Sequence, residues 1–235
     1  MKVIKANCRD QLTAADVDFI LSVLSPERGT AQCLVHLLSD PDLRDTILDQ
    51  EALYRAMLDQ PSVLTISAHL YFYVLVRHVL MGEGIDDRET ADYVAEMLSE
   101  FSVARKQGQS EFSVPGGSRE SMVDLMLELA SLHGREAFGM HAHIGNVALF
   151  LSGVFLKRIQ HCLNRRAAPD VDYYESIGRM QFRVAKDDPL AERYHLESVF
   201  GILSGSFHEA RLALNDLTDR LVSCGEPIAA PGVVI

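Results

Sequence analysis

Eight apolar residues, Leu196, Phe200, Leu203, Phe207, Ala210, Leu214, Leu217 and Leu221, follow one another at alternating steps of four and three. Only a helix lines up such positions, because a strand repeats every two residues and a heptad every three and a half. The spacing predicts one long helix after Pro189, ~33 residues and roughly 50 Å if unbroken. A two-chain coiled coil brackets its seam with opposite charges. Here the brackets are Ser204, Arg211 and Thr218 on one side and Ser206, Ala213 and Arg220 on the other, and they hold no charge code. The seam is therefore expected to pack against its own chain, with Phe200, Leu203, Phe207 and Leu214 as the interface residues if it pairs with a second copy instead. Gly201 and Gly205 would allow a close backbone approach, or a bend.

Helical signals recur along the rest of the chain. Thr13 and Asp16 have capping-box spacing, ahead of Val17, Ile20, Leu21 and Leu24 on one face. Ser25-Pro26 and Asp40-Pro41 each restart a helix, with Leu34, Leu37 and Leu38, then Leu43, Ile47 and Leu48, as the buried stripes. Ser67 caps a central helix over 68–81 that ends near Gly82 and Gly84, and Asp86 or Asp87 opens the next, with Ala91, Val94, Leu98 and Phe101 inward. "RKQGQSEFSVPGG", residues 105–117, is polar and aperiodic and reads as a connector. Ser118 then caps a helix that buries Met122, Leu125, Met126 and Leu129. Gly134 and Gly139 break the chain before "HAHIGNVALFLSGVFLKRIQH", 141–161, the second central helix. Asp172 and Glu175 cap a further helix through Ile177, Met180 and Val184.

The expected fold is all-α, a multi-helix bundle of about eight to ten helices with two buried central helices and a long C-terminal one. The chain reads as a single all-α domain, 1–235, or as two helical halves, 1–104 and 118–225, joined by loop 105–117.

The apolar central helices raise the question of a membrane. Between His143 and Lys157 lie 13 residues, interrupted by Asn146 and Ser152, where a span needs roughly 18 to 20 apolar residues. "LYFYVLV" at 70–76 is shorter still, so neither stretch is expected to cross a bilayer. The net charge of −11 repels phosphate backbones, and the one compact basic cluster, Lys157, Arg158, Arg165 and Arg166, is too small for a duplex. Cys8, Cys33, Cys162 and Cys224 form no CxxC pair and follow no apolar leader, so free thiols in a cytoplasmic protein are expected.

Few residues point to chemistry. His69, Tyr73 and Arg77 share one face of the first central helix, with His78 beside them. Arg77 within an apolar helix must be paired, either with a ligand anion between helices or with a core carboxylate such as Glu175 or Glu128. Tyr174, on a first helical turn, suits a groove, and with Arg77, His78 and Tyr73 completes the ligand-binding candidates. His141 and His143 would point ~200° apart on one helix and could share a metal only from a loop. Glu192 and His195 form a single Glu-x-x-His, and di-iron bundles use that motif twice. No GxSxG, Walker loop, HExxH or Rossmann fingerprint is present, and no cofactor is expected.

The segments "LYFYVLVRHVL", "DDRETADYVAEMLSEF", "HIGNVALFLSGVF" and "APDVDYYESIGRMQFRVA" resemble a group of bacterial all-helical proteins with no known activity, over about residues 30 to 190. The resemblance implies a bacterial cytoplasmic origin and transfers no catalytic residue. The function expected is a non-enzymatic helical interaction or regulatory protein, acting through an apolar groove or the last helix on a protein partner or as a homodimer. The alternative is a small-ligand-binding or metal-dependent helical enzyme, its pocket between the central helices with Arg77, His78, His141, His143 and His195 around it. Neither nucleic acid nor membrane is an expected partner.

Overall fold

The computed structural model describes residues 4, 6–24, 34–59, 65–106, 122–156 and 169–223, and all regular structure among them is helical. A 3-10 turn, Cys8–Asp10, precedes α1 (Ala14–Leu24), and a helical stretch at 34–38 leads to α2 (Pro41–Leu48) and α3 (Glu51–Asp59). Next come α4 (Ala68–Gly82), α5 (Arg88–Lys106), α6 (Met122–Leu129) and α7 (Gly134–Val154). The last four are α8 (Val171–Lys186), α9 (Pro189–Arg193), α10 (Glu197–Gly205) and α11 (Phe207–Ser223).

Local chemistry sets most of the starts. Thr13 Oγ1 accepts from Asp16 N at 3.2 Å while Asp16 Oδ2 accepts from Thr13 N at 2.7 Å, a reciprocal capping box. Asp40 accepts from Asp42 and Leu43, Ser67 from Leu70, and Asp87 from Thr90. For α8 the cap is Asp170, accepting from Tyr173, two residues ahead of the expected cap Asp172. Gly84, at φ +85°, turns the chain out of α4, and Ile85 N closes on Leu80 O at 2.9 Å. The expected break at Gly139 does not occur, because α7 runs unbroken from Gly134 and buries Gly139. The expected connector 105–117 falls almost wholly in 107–121, outside the described residues, as do Ser118, Cys33, Cys162, Cys224 and the basic cluster from Lys157 to Arg166.

α4 and α7 form the buried middle. α5 covers α4, α8 covers α7, and α11 lies across both, while α10 sits between α8 and α5. Phe200 is the aromatic centre: Tyr93 meets it edge-on at 5.5 Å, Phe182 stacks on it at 5.7 Å, and Phe138 tilts against it at 6.1 Å. The eight seam positions are all buried, from 0% to 2% exposed.

The expected single C-terminal helix is instead three. α9 ends where His195 takes a left-handed φ of 57°, a place more often given to glycine, and α10 ends at Gly205–Ser206. The breaks turn the axis without turning the seam, so Phe200, Leu203, Phe207 and Leu214 are spent on the chain's own core and offer no surface to a partner. The close helix approaches also lie elsewhere than expected. A Cβ on Gly201 would meet only Lys186 at 3.6 Å, and one on Gly205 nothing within 4 Å. A Cβ on Gly145 would stand 2.8 Å from the Phe182 ring, on Gly153 2.8 Å from Leu214 Cβ, and on Gly178 2.2 Å from the Phe207 ring. α7 thus approaches α8 and α11 at glycines, and the side chain of Asn215 on α11 donates to the carbonyls of Ser152 and Gly153 that end α7.

Candidate functional site

Two sets of side chains stand out: a polar seam inside the first half, and apolar residues left exposed on α6 and α8. The seam grows from α4, where His69, Tyr73 and Arg77 face one way at four-residue spacing. Opposite them α5 supplies Asp92 and Glu96, the end of α2 supplies Asp45 and Asp49, and the Cys8–Asp10 turn inserts between. Arg9 Nε donates to Asp92 Oδ2 at 3.1 Å and its Nη1 to Asp45 Oδ2 at 2.5 Å, with the guanidinium 5.7 Å above the Tyr73 ring. Arg77 grips Asp49 with Nε at 3.0 Å and Nη2 at 3.4 Å, and reaches Asp86 at 2.5 Å. Arg88 donates to Asp49 at 2.8 Å. Arg77 therefore has core carboxylate partners, but they are Asp49 and Asp86, not Glu175 or Glu128. Glu175 is held instead by Arg211, Arg179 and His208.

The electrostatics of the seam serve pairing. Burial tends to raise the Asp49 carboxyl, yet its hydrogen bonds with Arg77 and Arg88 hold it below the usual aspartate value. Cys8 is fully buried and its thiol donates a hydrogen bond to Glu96 Oε2 at 3.2 Å, with His69 Nε2 3.4 Å from the same oxygen. Burial, with Glu96 and Asp92 close by, pushes this thiol far above its ordinary value. Negative neighbours and burial disfavour the thiolate, where an imidazolium beside the sulfur would favour it, so Cys8 stays protonated. Burial likewise raises Tyr73. The buried side-chain atoms without a partner among the described residues, Tyr73 Oη, Arg77 Nη1, Asp45 Oδ1, Arg44 Nε and Thr90 Oγ1, all belong to elements of this seam.

The other expected site residues are not gathered. His78 donates Nδ1 to Val74 O at 3.1 Å and stacks on Tyr54 at 4.6 Å, and burial lowers its pKa. Tyr174 meets Tyr173 edge to face at 5.5 Å on α8. His141 and His143 do share one helix, so they diverge. Burial brings His143 down to about 4. Glu192 and His195 are exposed near the end of α9. Among the described residues no group of three or more His, Cys, Asp or Glu is placed to hold a metal ion. A pocket lies among α4, α5 and the end of α7, lined by Phe72, Leu98, Phe101, Ser102, Phe150, Val154 and Phe155, and none of the expected histidines or Arg77 reaches it. Among the described residues no helix is long and apolar enough to cross a membrane.

Of the positions that periodicity sets together on α8, Met180 and Val184 are exposed. His141 Nδ1 donates to Gln181 Oε1 at 2.6 Å, and Gln181 Nε2 donates to Met126 Sδ at 3.5 Å, a link that ties α7, α8 and α6 together. Above it, on the flank of α6 next to Met126, stand Val123 and Leu127, 57% and 68% exposed. On the flank of α8 next to Gln181 stand Met180 and Val184, 47% and 43% exposed. Each pair is four apart, so each forms one apolar ridge on its own helix. Beyond the ridges, α6 presents Asp124 and Glu128, and α8 presents Arg179 and Arg183, all exposed.

No family model matches this chain, and no curated protein or solved structure is detectably similar to it. Function rests on the geometry.

Proposed function

We propose that this chain is a non-enzymatic helical interaction protein that works through the exposed apolar residues of α6 and α8. The observation that carries the reading is two apolar pairs left exposed, Val123 with Leu127 on α6 and Met180 with Val184 on α8. Single exposed apolar residues are ordinary, but two at i and i+4 make a ridge of the kind that interaction sites use. The seam supports the reading from the other side, since its thiol, arginines and aspartates are engaged with one another. The test is a photo-crosslinking residue in place of Leu127, with one in place of the exposed Glu197 as control, irradiated in the native cell. A discrete adduct from position 127 alone is expected. Labelling no stronger at 127 than at 197 would end the proposal.

A second reading has one observation in its favour. Arg77 Nη1 is a donor, Asp45 Oδ1 an acceptor and Tyr73 Oη either, and all three lack partners in the seam. Such a set fits an ordered water or a small polar ligand. Calorimetric titration of small polar metabolites, with Tyr73→Phe as the comparison, would detect a ligand beyond water.

A further inference from the structure

We infer that Asp45, Asp92 and Tyr73 form a recognition site for a peptide arginine, which Arg9 of the N-terminal turn fills as a tethered and displaceable occupant. The walls come from three core helices: Asp45 from α2, Tyr73 from α4 and Asp92 from α5. They meet the arginine on three sides. Asp92 accepts twice from the same residue, Oδ2 from Nε at 3.1 Å and Oδ1 from the main-chain N at 3.3 Å. Asp45 accepts from Nη1 at 2.5 Å, and the guanidinium lies 5.7 Å from the centre of the Tyr73 ring. The site therefore reads an arginine within a peptide, by its amide and by its fork, and not merely a positive charge. A lysine ammonium has no fork with which to engage both carboxylates and the ring at once.

Two observations make Arg9 an occupant and not a wall. Among the described residues the main-chain bonds of the turn are local, Asp10 N to Asn7 O and Gln11 N to Cys8 O. The helices thus hold the turn through side chains and the amide of Arg9. The site also has capacity that Arg9 leaves unused. Tyr73 is 1% exposed and its hydroxyl, in the field of Arg9 and Asp45, has no partner, and neither has Asp45 Oδ1. Buried carboxylates are costly without a cation, so an arginine that leaves must be replaced by another. Cys8, ahead of the arginine, is buried and donates to Glu96, which favours a segment with Cys or Ser before Arg. The partner is a protein segment carrying such an arginine, and its docking releases the N-terminal turn.

The test uses the full chain with Arg9→Ala and a fluorescent peptide of residues 6–12 in reducing buffer. Fluorescence anisotropy should show saturable binding. The same peptide with lysine in place of its arginine should bind more than about tenfold more weakly. Adding Asp92→Asn to the Arg9→Ala chain should remove binding. The unmodified chain should bind at least about tenfold more weakly, because its own Arg9 competes at an effective concentration on the order of millimolar. Circular dichroism shows whether Arg9→Ala folds. Arg9→Lys, which keeps a cation in the seam, is the second variant, and it should bind the arginine peptide more tightly than the unmodified chain does. An arginine peptide that binds neither variant at millimolar concentration overturns the proposal. Equal binding of the arginine and lysine peptides would reduce the site to its charge, and equal binding by Arg9→Ala and the unmodified chain would put the peptide elsewhere; either overturns it too. None of these measurements involves the exposed residues of α6 and α8, so failure here leaves that reading standing.

Discussion

Replacing Gly178 by alanine tests whether helix packing or helix propensity governs the middle of this fold. Propensity alone favours the change by about 1 kcal/mol in a helix interior. Packing opposes it. The new Cβ would stand 2.2 Å and 2.3 Å from two Phe207 ring atoms and 3.1 Å from Ala148 Cβ, where ordinary contact begins at 3.4 Å. The ring must therefore retreat by more than an ångström, and it is fully buried with Phe182 at 6.1 Å. Overpacking costs about 1–3 kcal/mol, occasionally more, and a clash this deep lies at the upper end. The net is a loss of about 1–2 kcal/mol, and in a chain of this size each kcal/mol moves the melting temperature by about 2–4 °C. Gly201→Ala is the control: its Cβ has room, so propensity alone should raise stability by about 0.5–1 kcal/mol. Urea unfolding followed by circular dichroism, with an unchanged slope, reads both. In a Phe207→Leu background the cost of Gly178→Ala should shrink, a coupling of about 1 kcal/mol. If Gly178→Ala melts at or above the parent while Gly201→Ala does not gain, the close-approach argument is wrong.

Other expectations follow from the seam and from α7. Asp49→Ala leaves Arg77, 3% exposed, with only the largely exposed Asp86, so it should cost about 3 kcal/mol in urea unfolding; Asp86→Ala, at a side chain 79% exposed, should cost at most about 1 kcal/mol. Equal losses would show that the bidentate grip is not what holds Arg77. The pH dependence has two windows. His143 is neutral in the fold down to about 4 but protonates near 6.5 when unfolded, so the unfolded state binds more protons between those values and stability falls as pH drops from 6.5 to 4. His143→Leu should flatten that window, and an imidazole titration midpoint near 6.5 in the folded protein would refute it. Asp49, held below its ordinary 3.8, contributes above that value and loses its contribution as pH falls further, so its window lies lower and does not overlap.

What was legible in the sequence was what is decided within one or two turns. The Thr13–Asp16 box, the Asp40 and Ser67 caps and the left-handed Gly84 are readable because both partners of each interaction sit a few residues apart. The heptad seam showed which residues share a face, and they are all buried, but the turns at His195 and Ser206 depend on what the helix packs against. For Arg77 the requirement for a carboxylate was readable and its identity was not, since Asp49 is 28 residues away and only the fold brings it there. Arg9 carried no periodic signal at all; "NCRD" ahead of a capped helix is the only trace of the residue that joins Asp45 to Asp92. Met180 and Val184 show the complementary limit. Periodicity says that they lie together, and says nothing of whether another helix covers them.

The insertion of the Cys8–Asp10 turn sets an order of events during synthesis. Cys8 leaves the ribosome 88 residues before its partner Glu96, and Arg9 leaves 83 before Asp92. At ~5–20 residues per second that is a wait of roughly 4–18 s. Until α5 has emerged, Arg9 has only Asp45 to engage, and when α4 and α5 pair, Asp92 enters their interface already needing a cation. The turn is thus made well before the helix that locks it. A chaperone or binding partner that holds residues 8–10 during those seconds would keep the first half open, and its release would close it.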